Sequence, residues 1–142
     1  MRVQLAVLTA CVLALAALPA SGGEKDKLPV REVDLKGIDL GDAKGDPHKP
    51  AVITSAEDLA KAIPSEEAQA KIKKDVDFAK EKVLYFAWSG SGGDRVTLSS
   101  LKISGRGTTA VFSYKTGQTD DLRRHHRAFV LPKDATWSFG DK

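Results

Sequence analysis

Hydrophobic and polar positions alternate along most of this chain, and the pattern breaks in one place. Val83-Leu-Tyr-Phe-Ala-Trp88 is the longest apolar run after the first twenty residues, and it stops in Ser89-Gly-Ser-Gly-Gly93. A run of β-formers that is apolar at every position predicts a central strand, Val83–Trp88, covered on both faces and ending in a flexible turn. Around it, Arg95–Leu98, Leu101–Ile103, Thr109–Tyr114, Arg127–Leu131 and Thr136–Phe139 alternate with period two and predict further strands. Ser104-Gly-Arg-Gly107 reads as a hairpin turn, and Lys115–Asp121 as a polar loop.

The helical signals lie earlier. Ser55 with Asp58 three residues on forms a capping-box-like pair, predicting a helix over Ala56–Ile63 that Pro64 ends. Ser65 caps a second, Glu66–Lys74, with acids at its start and lysines at its end, the order that complements the helix dipole. Ala51–Thr54 reads as a short strand, and Val30–Leu40 as an irregular strand or hook at a sheet edge. Gly41–Pro50 reads as a solvated loop. Helices early and strands late predict an α+β fold: two short N-terminal helices on an antiparallel sheet of about five strands. The set Leu84, Phe86 and Trp88, larger and wholly apolar, is expected to face the helices near Leu59, Ile63 and Ile72. Tyr85, with its hydroxyl, suits the opposite face, nearer water or a polar partner.

The first residues change the picture of where the chain works. Arg2, the apolar stretch Leu5–Leu18 and the small-residue exit Pro19–Gly23 have the form of a secretory signal peptide, and the stretch is too short to span a bilayer. The expected organisation is a signal peptide over 1–22, an extended or flexible segment over 23–50 and a single α+β domain over 51–142. The product is exported, to the periplasm, cell envelope or outside, with no membrane span after cleavage. Cys11 is the sole cysteine and lies inside the apolar stretch, so the exported part has no disulfide and no thiolate metal site. With 22 Lys+Arg against 19 Asp+Glu the charge is too balanced to point to nucleic acid.

Candidate chemistry is sparse. Ser89–Gly93 lacks the spacing of a nucleophile elbow and the Lys-Ser/Thr of a phosphate loop. In Arg123-Arg-His-His-Arg127 the adjacent histidines point to opposite faces of any strand, so a metal site needs a third ligand such as His48 or Asp120. A solvated basic segment paired with Asp120 and Asp121 is the simpler reading, and it predicts that replacing both His125 and His126 by Ala leaves stability nearly unchanged. A triad of Ser91, His125 and Asp120 can be written down, but no spacing supports it. No cofactor motif is present. The residues that could meet a partner are Trp88, Ser89, Ser91, Arg95, Arg123, Arg124, His126 and Arg127. The function these patterns favour is a non-catalytic interaction or accessory domain with an envelope or secreted protein partner. The alternative is a metal-dependent or hydrolytic enzyme using His125, His126 and nearby carboxylates.

Val52-Ile-Thr-Ser55 before a helix, then Val76-Asp-Phe-Ala-Lys-Glu-Lys-Val83, a strand ending in a Gly-rich turn, and Ala128-Phe-Val-Leu-Pro-Lys133 together resemble the C-terminal-domain family of the protease-complex subunit PrcB. The resemblance covers about Ala51–Lys133. It implies a small extracytoplasmic α+β domain without catalytic residues, in some members an accessory to a surface protease. Asp94 stands where that family typically has an aromatic after the Gly-Gly turn.

Overall fold

The computed structural model describes residues 29–140. The expected signal peptide and Cys11 lie outside the described residues. Two sheets and two helices form three layers. The first sheet has the order β1-β6-β3-β2, built from β1 (Arg31–Val33), β2 (Ala51–Ile53), β3 (Glu81–Ser91) and β6 (Leu122–Pro132), all antiparallel. The second has the order β4-β5-β7: β4 (Arg95–Ser104) is antiparallel to β5 (Gly107–Lys115), and β7 (Thr136–Phe139) lies parallel to β5. The helices α1 (Ala56–Ala62) and α2 (Glu66–Asp75) cover the outer face of the first sheet.

The chain is thus α+β in broad class but mainly β, and two sheets of four and three strands replace the single sheet of about five. The reason sits at the turn after β3. Gly92 and Gly93 turn the chain so sharply that β4 leaves β3 altogether and pairs with β5 in the second layer. The expected pieces Arg95–Leu98 and Leu101–Ile103 are one strand. The broken alternation between them is a register shift between Leu98 and Ser100, a bulge that adds a residue without ending the pairing.

The helices begin as their caps predict. The Ser55 hydroxyl accepts the Asp58 N–H at 3.1 Å, the Asp58 carboxylate accepts from the Thr54 hydroxyl at 2.9 Å, and Ser65 accepts the Ala68 N–H at 3.4 Å. Leu59, Ile63, Ala68 and Ile72 pack from this side onto Ile53, Val83, Tyr85, Ala128 and Val130. Pro29–Pro50, read from sequence as an extended lead-in, contributes β1 and buries Val30, Val33, Leu35, Leu40 and Ala43.

The two faces of β3 are used the other way round from the expectation. Val83 and Tyr85 meet the helices, whereas Leu84, Phe86 and Trp88 fill the space between the sheets with Val96, Phe112, Phe129 and Leu131. Apolarity alone ranked the faces wrongly because it ignored the partner layer. The short helices offer only small and aliphatic side chains. The second sheet offers rings: Phe86 lies 5.3 Å from Phe112, 5.9 Å from Phe129 and 6.2 Å from Phe139, centroid to centroid.

Candidate functional site

The site is set by where β1 stops. It pairs with Ala128–Val130 of β6 and ends when the Asp34 carboxylate accepts the Lys36 N–H at 3.0 Å and Gly37 takes a positive φ of 79°. β6 itself runs on to Leu122, paired with β3 on its other side. Among the described residues no strand covers the outer edge of Leu122–Arg127, a length of about 20 Å at the rise of an extended chain.

Beside that edge opens a cleft of about 490 Å³ between β1 with its following loop and the first half of β6. Val33, Leu35, Ile38 and Leu40 give it an apolar floor; Glu32, Asp34 and Lys36 face Arg124, His126 and Arg127 across its rim. Arg127 Nη1 donates to Glu32 at 2.5 Å, Arg124 Nη2 approaches Asp42 at 3.2 Å, and Arg123 Nε donates to Asp121. The Asp121 carboxyl is held down at about 2 by the Thr119 hydroxyl and the Arg123 guanidinium.

The two histidines are strand residues, not members of a solvated loop, and the expectation of an inert pair is corrected accordingly. Each is half-buried with a partner on its own side of the sheet. His126 lies on the helix side, diagonal to Tyr85, and its Nδ1 is 2.7 Å from the Tyr85 hydroxyl. Burial, then the neighbouring His125 and Arg124, lower the His126 pKa from 6.5, while the Gly41 main chain acts the other way. Burial pushes the Tyr85 phenol up to about 12. A neutral imidazole whose Nδ1 accepts from a neutral phenol is the state this geometry favours.

His125 lies on the inter-sheet side, stacked on Trp88 at 4.8 Å and 18°, and its Nε2 is 2.8 Å from the Ser91 carbonyl oxygen. It therefore engages the Ser91 main chain and not the hydroxyl. The Ser91 hydroxyl donates to the Thr119 carbonyl at 2.8 Å and accepts the Thr119 N–H at 3.0 Å, as a tie between two connections. The triad that could be written from Ser91, His125 and Asp120 has no such geometry. Among the described residues no three His, Cys, Asp or Glu side chains converge as a metal site.

The remaining candidates disperse. Trp88 is 2% exposed, a core residue whose Nε1 is 3.4 Å from Asp94 Oδ2. Ser89 donates to the Ala43 carbonyl at 2.7 Å and holds the 41–50 loop against the β3 edge; Arg95 is exposed on β4, in the other sheet. The structure thus gathers Arg123, Arg124, His126 and Arg127 at one strand edge and leaves Trp88, Ser89, Ser91 and Arg95 out.

Two residues have structural roles that the sequence reading did not give them. Asp94 is buried, accepting from the Gly117 N–H at 2.7 Å, the Tyr114 hydroxyl at 2.8 Å and the Trp88 indole. The Gly117 bond, with the Tyr114 and Trp88 bonds behind it, lowers its pKa against the opposing effect of burial. Its position directly after Gly-Gly was the available signal, since a carboxylate at a tight turn finds free N–H groups. His48 packs edge-on against Tyr114 at 5.1 Å and tilted on Phe139 at 4.9 Å, closing the loop over the second sheet. Nothing in its local sequence announces that contact.

No protein-family model matches the chain, and no curated protein and no solved structure matches it significantly. Among the described residues no helix is long and apolar enough to cross a membrane.

Proposed function

We propose that this is a non-catalytic interaction domain of the exported space, an accessory to another envelope or secreted protein, and that the partner docks along the outer edge of β6. The observation that carries the reading is the outer edge of Leu122–Arg127, which no strand covers among the described residues, beside a cleft with an apolar floor. An extended segment laid there would continue the line of β1. Main-chain hydrogen bonds would supply affinity, and an apolar side chain in the cleft would supply selectivity. The divergence of His125 and His126 to opposite faces argues against a shared catalytic role. The resemblance of Ala51–Lys133 to the PrcB C-terminal-domain family supports the same class of function.

The test is site-specific. A photo-crosslinking residue at Lys36, on the cleft rim, is expected to capture one discrete protein in the intact envelope. The same residue at Ile103, exposed on the β4 strand of the other sheet, is expected to capture none. Equal capture from both positions, or none from Lys36, would remove the assignment.

A further inference from the structure

Resting on the reading of the β6 edge as the docking site, we infer that the segment it receives is an extended acidic strand, with carboxylates facing the β6 arginines. The argument begins with how the arginines are used. Arg31 is fully committed: Nη1 and Nη2 hold both oxygens of Glu81, at 2.6 and 3.0 Å, and Nη2 also reaches the Asp75 carbonyl at 2.5 Å. Arg123, Arg124 and Arg127 each engage a carboxylate through a single nitrogen. A guanidinium has five donors arranged to grip a carboxylate with two, so each of the three keeps a fork able to take a second one. Their present partners Asp121, Asp42 and Glu32 are exposed or nearly so, and such ion pairs are easily shared or exchanged.

The edge also has an internal precedent. Glu32 of β1, opposite Phe129, reaches diagonally to Arg127. An added strand in line with β1 would repeat that contact at each β6 arginine. Side chains on opposite strands sit close enough for charge to decide the pairing.

The same rule disfavours a second copy of this chain. Antiparallel self-pairing of Leu122–Arg127 would set Leu122 against Arg127, Arg123 against His126 and Arg124 against His125, so that no arginine of the stretch meets a carboxylate. The occupant is therefore a foreign segment. Arg123 and Arg127 alternate with Arg124 and His126, so it carries carboxylates on the first face and a mix of carboxylate and apolar side chains on the face toward the cleft.

The experiment uses the exported chain and a blocked peptide of alternating Val and Glu, about eight residues long to match a typical strand. Amide exchange of Leu122–Arg127 is expected to slow on binding, and affinity to fall as salt is raised to about 0.5 M. Arg123→Gln with Arg127→Gln, two arginines on one face of β6, is expected to weaken binding about fivefold or more, from the loss of two cross-strand charge pairs, with the unfolding midpoint kept as the control for folding. If a Val-Thr peptide protects the same amides equally well, the acidic preference is wrong while the docking edge stands. If neither peptide protects them, both fall. If a Val-Glu peptide N-methylated on alternate residues binds as tightly, the arginines hold loose anions and strand addition is overturned.

Discussion

Phe86, Asp94 and His126 show three ways in which one side chain holds this molecule together. Phe86 is fully buried among Phe112, Phe129 and Phe139, so Phe86→Ala removes a ring from a packed aromatic cluster and is expected to cost about 3–5 kcal/mol. Urea unfolding checks this; a loss below about 1 kcal/mol would be incompatible with that packing. Asp94 acts through charge. Its folded pKa lies below its ordinary 3.8, so its contribution is complete above that value and disappears as the pH falls through the lower folded value. Asp94→Asn cannot accept from all three donors. It should lower stability at neutral pH and flatten the acid limb of a stability–pH curve; an unchanged acid limb would refute the role. His126 has the same sign for a different reason. Its folded pKa lies below 6.5, so the unfolded chain takes up the proton first. Stability should be full above 6.5 and fall as the pH drops toward the folded value, and His126→Gln should lose that part of the dependence. Tyr85→Phe and His126→Ala should each cost about 1–2 kcal/mol and be less than additive together, because each removes the same hydrogen bond.

At the scale of elements, much was legible. The serine caps, the proline after α1 and the alternation of β5 and β7 placed those elements within a residue or two. The glycines after β3 announced the turn but not where the strand ends, since β3 runs on through Ser89–Ser91, three residues past the expected Trp88, and their spatial consequence was not local. Gly117 meets Gly93 where the connections β3–β4 and β5–β6 cross, and a Cβ on Gly117 would sit 2.5 Å from the Gly93 Cα. Because that neighbour is backbone and cannot swing aside, Gly117→Ala is expected to destabilise strongly. Gly105→Ala, with nothing within 4 Å, should be nearly neutral. Thermal unfolding of the two variants separates them, and equal midpoints would mean that the crossing is not tight. The first half of β6 was illegible because charged residues on both faces do not alternate in polarity. Arg123, Arg124, His125, His126 and Arg127 are held in a strand by the β3 ladder and by partners from distant loops. Of the candidate site, Arg123, Arg124, His126 and Arg127 were readable as candidates by residue type, but the strand that carries them, the gap left by β1 and the apolar floor of Val33, Leu35, Ile38 and Leu40 were not. The gap and the floor depend on where the chain before Ala51 returns in space.

For the whole molecule, the long apolar run of β3 correctly implied a strand covered on both sides, and the three layers follow from it. A chain shortened to begin at Ala51 is expected not to fold, since it loses β1 and the buried Val30, Val33, Leu35, Leu40 and Ala43; a native-like amide spectrum from it would show that lead-in to be dispensable. The pairing of β1 with β6 has a kinetic consequence as well. Arg31 faces Val130, so β1 finds its one strand neighbour among the described residues about a hundred positions along the chain, and β7 follows later still. Closing so large a loop must precede any reward from the ladder, which places folding in the slow range of topologies, about milliseconds to seconds. A chain that must have both ends in hand before its central sheet can close remains threadable through a narrow pore for as long as its C-terminal part has not emerged.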